Sequence, residues 1–289
     1  MGTNTLGGFL NPLSRWTIGG AVAYAEGGIV EALLKLSPSI LIAAPTQLQA
    51  ALRALPPDYR PPSALKIIVA GGSLPKSVAL EAASRLNAEI EMQYGSTEAG
   101  VVTAGPVALR GYAEGSTGFV CPGYQAEIVD ESGRPQERGQ SGMIRVRTPW
   151  MALSYLDGPN ASVRDGWFYP GDIGYFTASG ELVVAARQDD VINMGGVKLS
   201  ASAIESRLAQ LPGIDDVGVV FLDIRGSIGR LAVAIVPSTV AWPELRERVL
   251  SQLTRPADVI AFDRLPRNEM GKLVRSELAR QVKERVQPS

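Results

Sequence analysis

Between Leu33 and Gly100 one alternation repeats: a short apolar run, a turn, then an amphipathic stretch of helical period. The runs are SILIAAP at 39–45, LKIIVAGG at 65–72 and AEIEMQYG at 88–95, and QLQAALRAL and PKSVALEAASRL lie between them. Strand-length runs separated by helices cannot pair as tight hairpins, because the chain must travel back before the next strand begins. They therefore predict parallel strands joined by crossover helices. That fixes the class of this stretch as α/β. The segment before it, GGFLNPLSRWTIGGAVAYAEGG, is glycine-rich and apolar without a clean period. It reads as helices and loops packed against something, part of a domain cut open.

Two other patterns follow. From 115 to 186 short alternating strands such as QAEIVD and MIRVRT are separated by the turn sequences DESGR, ERGQSG and TASGE. These predict a small antiparallel sheet or barrel. After Arg187 a capping box from Ser202 to Glu205 predicts a helix start, VGVVFLD and RLAVAIV pair across RGSIG, and a helix from Pro243 carries Leu245, Val249 and Leu253 on one face. The expected organisation is a core domain over 1–186, with an α/β part at 1–114 and a β-barrel-like part at 115–186. A separate α+β domain then spans 187–289. A length of 289 residues also favours two cores over one.

Composition narrows the chemistry. The chain contains no histidine, which removes serine-histidine triads, cysteine-histidine dyads and most zinc sites at once. Its single cysteine, Cys121 in GFVCPG, excludes an internal disulfide and reads as a buried small hydrophobe. A net charge of −1 argues against a nucleic-acid or anionic-membrane binder, so the expected partner is a small molecule. With no apolar run long enough to span a bilayer and no signal-peptide pattern, the expected location is cytoplasmic.

Several short motifs can carry chemistry. Gly71 and Gly72 end an apolar run ahead of Ser73, and read either as a tight strand-to-helix turn or as backbone that lets a flat ligand approach. Tyr94, Gly95, Ser96, Thr97 and Glu98 put a ring, two hydroxyls and a carboxylate in one turn. A ring can stack on a base, Thr97 can donate to phosphate, and Glu98 is a hard oxygen ligand for magnesium or an ordinary acid at a helix N-terminus. In DGWFYPGDIGYF, Asp172 stands between Gly171 and Gly174 among Trp167, Phe168, Tyr169, Tyr175 and Phe176. A carboxylate held there can accept from two adjacent ribose hydroxyls, with the aromatics partly desolvating it. Arg187, Asp189 and Asp190 read as a charged linker, with Arg187 able to reach ribose or phosphate and Asp189 placed as a hinge. Gly195 and Gly196 could let a narrow ligand pass, and Lys272 follows a glycine in a loop expected to be solvated.

The stretches GGSLP, YGSTE, GWFYPGD, ARQDDVINMGGVKLSASAIE and LPRNEMGKLVRSEL stand in the order and approximate spacing of one superfamily. The chain resembles the adenylate-forming enzymes, namely acyl-CoA synthetases, nonribosomal-peptide adenylation domains and firefly luciferase, over essentially its whole length. VINMGGVKLSASAIE and LPRNEMGK look more like the acid-CoA ligase branch. The resemblance implies that Gly71, Gly72, Ser73 and Tyr94 frame adenine, with Gly95 and Ser96 in the same turn. Thr97 would touch phosphate and Glu98 would ligate Mg2+. Asp172 and Arg187 would hold ribose, Asp189 would be the hinge, Gly196 would face the pantetheine path, and Lys272 would be the catalytic lysine of a mobile C-terminal lid.

The family's phosphate-cradling loop has no counterpart in these residues, so the resemblance implies a ligase truncated at its N-terminus. The expected reaction is acyl-AMP formation from a carboxylic acid and ATP, then thioester formation with coenzyme A. A carboxylate is already a nucleophile at neutral pH, so neither step demands a histidine base. The alternatives are a noncatalytic piece that binds AMP or acyl-AMP, or that only pairs with a partner chain such as a missing N-terminal half, and an acyl-AMP ligase that loads a carrier protein.

Overall fold

The first two apolar runs become strands because they carry β-branched residues, Ile40 and Ile42 in one and Ile67, Ile68 and Val69 in the other, and are closed by proline or glycine; the third, with Ile90 alone, becomes a strand by pairing beside the second. The structure, a computed structural model, describes residues 6–107, 113–155, 158–159, 162–188, 191–194, 197–222, 230–238, 241–254, 256–268 and 273–286. It divides into two compact units, with the chain passing from the first to the second between Ala185 and Ala186.

The first unit opens with α1 (Leu6–Thr17) and α2 (Gly28–Glu31), the latter running into a π-helical turn at Ala32–Leu36. Phe9, Leu10, Leu13 and Trp16 on α1 are exposed, where the sequence led us to expect packing. Next come β1 (Ile40–Ala43), α3 (Pro45–Ala54), β2 (Leu65–Ala70), α4 (Lys76–Arg85), β3 (Ala88–Ser96), β4 (Gly100–Pro106) and β5 (Phe119–Val120). They form one sheet in the order β1-β2-β3-β4-β5. The first three strands are parallel, with Ile42 opposite Ile68 and Ile68 opposite Glu91. Helix α3 starts cleanly because Pro45 occupies its first turn and the Gln47 side chain accepts from the Ala44 N–H at 3.0 Å. Leu48 and Leu52 of α3 and Val78, Ala79 and Ala82 of α4 pack with Ile67 and Val69 of β2 in a buried cluster.

Two features depart from the simple alternation. No helix follows Glu98: residues 97–99 are a turn, and β4 returns antiparallel to β3. Val101, Val102 and Thr103 favour a strand there. The hairpin closes so tightly that a Cβ on Gly95 would lie within 2.0 Å of the Gly100 carbonyl oxygen. In addition, β5 pairs with β4, so the first sheet takes residues from both sides of position 114.

The second sheet contains β6 (Gln125–Val129), β7 (Gly142–Arg147), β10 (Val163–Arg164), β11 (Trp167–Phe168), β12 (Asp172–Phe176) and β13 (Leu182–Arg187). Its order is β10-β11-β7-β12-β13, with β6 beside β7, and a small pair formed by β8 (Ser154–Tyr155) and β9 (Gly158–Pro159) stands apart. Ile128, Ile144, Val146, Phe168 and Leu182 pack with Ala99 and Val102 from the first sheet, so the two sheets share one core. Buried hydroxyls stitch them together: Thr103 donates to Thr117, and Thr117 Oγ1 donates to the Leu182 carbonyl at 3.0 Å.

The second unit holds a two-stranded ribbon of β14 (Val191–Met194) and β15 (Val197–Ser200), then α5 (Ala201–Leu208), β16 (Ile214–Leu222), β17 (Arg230–Pro237), α6 (Trp242–Ser251), β18 (Ala257–Ala261) and α7 (Arg275–Val286). β16 and β17 are antiparallel, and β17 and β18 parallel. Alternation along β17 builds two cores. Leu231, Val233 and Ile235 meet α5 and α6 on one face, while Ala232 and Ala234 meet Leu278 and Val282 of α7 on the other. The cap of α5 is Ser200 rather than the expected Ser202: its side chain accepts from the Ala203 N–H at 3.2 Å. Glu205 is drawn away instead, accepting from the Val219 N–H at 2.7 Å and from both terminal nitrogens of Arg275 at 2.5 and 2.9 Å.

Candidate functional site

Parallel strands present their carboxyl ends on one edge, and the loops leaving that edge converge. The pairing of Ala70 with Gln93 sets Gly71 beside Tyr94 at that edge. Gly71 has φ +89° and nothing within 4 Å of where a Cβ would stand, so the conformation demands glycine while leaving open space above the backbone. Gly72 is less constrained, because a Cβ there would meet only Pro45 at 3.6 Å. Gly71, Gly72 and Ser73 are exposed, anchored by the fully buried Leu74.

The turn after β3 divides its residues by role. Tyr94 is half-buried, packs against the core shared by the sheets, and donates its hydroxyl to Asp172 Oδ2 at 2.6 Å. Gly95 is required by the close approach of Gly100, which accounts for it without a ligand. Ser96 turns its hydroxyl inward to accept from the Ala99 N–H at 3.2 Å. Thr97 sits exposed at the tip. Glu98 is half-buried and held twice, its Oε1 accepting from the Tyr155 hydroxyl at 2.8 Å and its carbonyl from the Ala152 N–H at 2.8 Å.

Asp172 is the first residue of β12 and only 7% exposed. Its aromatic neighbours in sequence do not all surround it as expected. Phe168 is in the shared core, Trp167 is faced by the guanidinium groups of Arg145 and Arg147 at 4.5 and 4.6 Å, and Arg164 lies 5.0 Å from the Tyr169 ring. The aromatic that bonds Asp172 comes from β3 instead.

Tyr155 and the Tyr94 hydroxyl were missed by sequence reasoning. Tyr155 lies in MALSYLDG, which has no period to mark it, and the Tyr94 contact joins residues 78 apart. Arg187 is exposed and ends β13, in the second unit. Asp189, Asp190, Gly195, Gly196 and Lys272 lie outside the described residues. Cys121 is half-buried, and burial followed by the nearby Glu91 carboxylate raises its thiol above the ordinary value. Among the described residues no cluster of three or more cysteine, aspartate or glutamate side chains could hold a metal ion, and no helix is long and apolar enough to cross a membrane.

The geometry can be set beside known proteins. The chain is 31% identical over 229 residues to 4-coumarate–CoA ligase 2 of Nicotiana tabacum, covering 73% of this chain and 42% of that protein. It is 29% identical over 231 residues to the long-chain-fatty-acid–CoA ligase of Escherichia coli O157:H7, covering 75% and 40%. The chain thus spans about two fifths of the length of these relatives. In fold it matches o-succinylbenzoate CoA synthetase of Bacillus subtilis, solved with its acyl-adenylate intermediate, with a TM-score of 0.80, 23% identity, and coverage of 96% of this chain and 59% of that one. The family described as AMP-binding enzyme matches residues 7–156, more than half of the chain and the whole of the glycine edge and the Tyr94–Glu98 turn, and the chain belongs to that family.

Proposed function

We propose that the chain supplies the adenylate-holding part and the second domain of an ATP-dependent acid–CoA ligase. In the first reaction a carboxylate oxygen attacks the α-phosphorus of ATP and the bond to pyrophosphate breaks. In the second a CoA thiolate attacks the acyl carbon and AMP leaves. The observation that carries this reading is the pairing of Tyr94 with the buried Asp172 beside the open backbone at Gly71. A carboxylate offers about four acceptor sites, and a ribose diol supplies two adjacent donors. The names of the two relatives above, both CoA ligases, support the same reaction class.

Glu98 tests whether the residues suit Mg2+. One carboxylate, half-buried and with no acidic cluster around it among the described residues, suits an ion that arrives mostly coordinated by phosphates and water. When bound, the ion would neutralise phosphate charge. The chain's own part is to orient: Glu98 is steadied by Tyr155, Thr97 offers a hydroxyl at the exposed tip, and Gly71–Ser73 leave room for a flat base. The family resemblance places the acyl pocket at the segment after Glu98, with Gly100, Val101 and Val102; Val102 is buried in the core, so Val101 is the side chain that can meet an acid. The roles of Arg187 at the ribose, Asp189 as hinge, Gly196 on the CoA path and Lys272 as the charge that bridges carboxylate and phosphate rest on the family resemblance.

Calorimetry on residues 1–289 tests the proposal with AMP, a nonhydrolysable acyl-AMP mimic, ATP and GMP. The expected result is binding of AMP and the mimic in preference to ATP and GMP. Absence of adenylate binding would refute the reading. Robust pyrophosphate exchange by residues 1–289 alone would refute the view that adenylation needs a further phosphate-binding segment. Offering preformed acyl-AMP to CoA and to carrier proteins decides the acceptor.

A further inference from the structure

Each carboxylate of the site is met by a tyrosine hydroxyl from a distant part of the chain, and the contact at Asp172 carries the sharper consequence. Tyr94 lies on β3 of the first sheet and Asp172 opens β12 of the second, yet the hydroxyl reaches Oδ2 at 2.6 Å. That is the length of a charge-assisted O–H···O− bond. The carboxyl torsion of aspartate is broad and two-fold when nothing holds it. At 7% exposure water contributes little to fixing it. A carboxylate offers about four acceptor sites, and the short bond from Tyr94 restrains the plane in which they lie. The ring that delivers the hydroxyl is itself fixed, packed against the core containing Ala99, Val102 and Phe168.

We infer that the Tyr94 hydroxyl is a positioning group for sugar recognition: it sets the Asp172 carboxylate plane so that nucleotides with a free 2′,3′-diol are selected over those without. This rests on the adenylate reading above. It assigns to Tyr94 a task separate from its ring: the ring shapes the edge beside Gly71, whereas the hydroxyl acts on the sugar through Asp172. The two tasks separate in Tyr94→Phe, which keeps the ring and its packing and removes one donor.

The test uses the whole 289-residue chain and two probes, AMP and 2′,3′-dideoxy-AMP, measured by calorimetry on the wild type, Tyr94→Phe and Asp172→Asn, with melting curves to show that each variant is folded. The wild type should prefer AMP. Tyr94→Phe should weaken AMP binding about tenfold to a hundredfold, the range for losing a hydrogen bond to a charged group, and should change dideoxy-AMP binding by less than about twofold. Asp172→Asn, the second handle should Tyr94→Phe not fold, should also erase the preference for the diol. Equal weakening of both probes by Tyr94→Phe would make the hydroxyl merely structural and overturn the inference, as would unchanged AMP affinity. If AMP binds but the wild type shows no preference for the diol, the inference fails and the adenylate reading stands. If the wild type binds neither probe, the adenylate reading fails and takes the inference with it.

Discussion

Gly174 sits in β12 two residues after Asp172, opposite Gly142 of β7. A Cβ at Gly174 would lie 2.2 Å from the carbonyl oxygen of Val183 and 3.0 Å from Ile144 Cδ1, while ordinary contact begins at 3.4 Å. The first obstacle is backbone and cannot step aside by changing rotamer, so Gly174→Ala must open β12 from β13 by more than about 1 Å. Overpacking of this kind costs about 1–3 kcal/mol, and loosening a ladder hydrogen bond adds about 1 kcal/mol. Alanine returns about 0.5–1 kcal/mol by restricting the unfolded chain. The net expectation is a loss of about 1–3.5 kcal/mol.

Urea unfolding followed by tryptophan emission measures that loss in the first unit, because Trp16, Trp150 and Trp167 belong to it and only Trp242 to the second. The same displacement moves Asp172 relative to Tyr94, so AMP affinity should fall further than the stability loss alone explains. Gly133→Ala is the control. Gly133 has φ +82° with open space around it, so alanine there costs about 1–2 kcal/mol of backbone strain and should leave AMP affinity unchanged. A Gly174→Ala variant as stable as the wild type and equal to it in AMP affinity would refute the reasoning, since the strands would then have opened at no cost.

Arg275→Met leaves Glu205 with the Val219 N–H and without its guanidinium partner. The two side chains are 25% and 17% exposed, so water recovers part of the penalty, and a loss of about 2 kcal/mol is expected. Hydrogen exchange in Val217–Leu222 should then accelerate about thirtyfold. Asp130 accepts from the Ser132 hydroxyl and from the backbone N–H groups of Arg134 and Ser132, bonds that lower its pKa from 3.8 to about 2. Stability from this group is present above 3.8 and lost as pH falls through about 2, so Asp130→Asn should flatten the melting-temperature profile in that window. Lys272→Ala, in an enzyme completed with its phosphate-binding segment, should lower acyl-AMP formation at least about a hundredfold while sparing thioester formation from supplied acyl-AMP. Equal loss in both half-reactions would make Lys272 structural.

What the sequence shows and what it hides divides along the range of the interactions. The three parallel strands and their helices were legible because each is specified by its own residues: the short apolar runs, Pro45 at a helix start, the one-turn spacing of Leu48 and Leu52. The reversal at Glu98 was not, because YGSTE followed by an apolar stretch suits a helix start or a hairpin equally well. The hairpin is favoured by the absence of side chains at Gly95 and Gly100, which lets two backbones meet. The cap of α5 failed for a related reason. Ser200 and Ser202 are both competent, their hydroxyls lie 2.9 Å apart, and the choice depends on Glu205 being claimed by Arg275, 70 residues away.

The same division governs the site. Tyr94, Glu98 and Asp172 were recognisable by type, yet each carboxylate is bonded by a tyrosine distant in sequence. Asp172 is oriented by a tyrosine 78 residues earlier, and Glu98 by one 57 residues later. The Tyr94–Asp172 bond exists only when the first sheet is docked on the second through Ala99, Val102, Ile144 and Phe168, and through the hydroxyl chain from Thr103 to Leu182, and the Glu98 bond only when Tyr155 of β8 lies against the turn after β3. Local turn chemistry therefore places the carboxylates on the chain, and contacts between distant segments aim them. A core substitution at Val102 or Ile144, both buried between the sheets, should for this reason disturb nucleotide recognition in proportion to how far it separates the sheets, while a substitution in the core of β16–β18 should not.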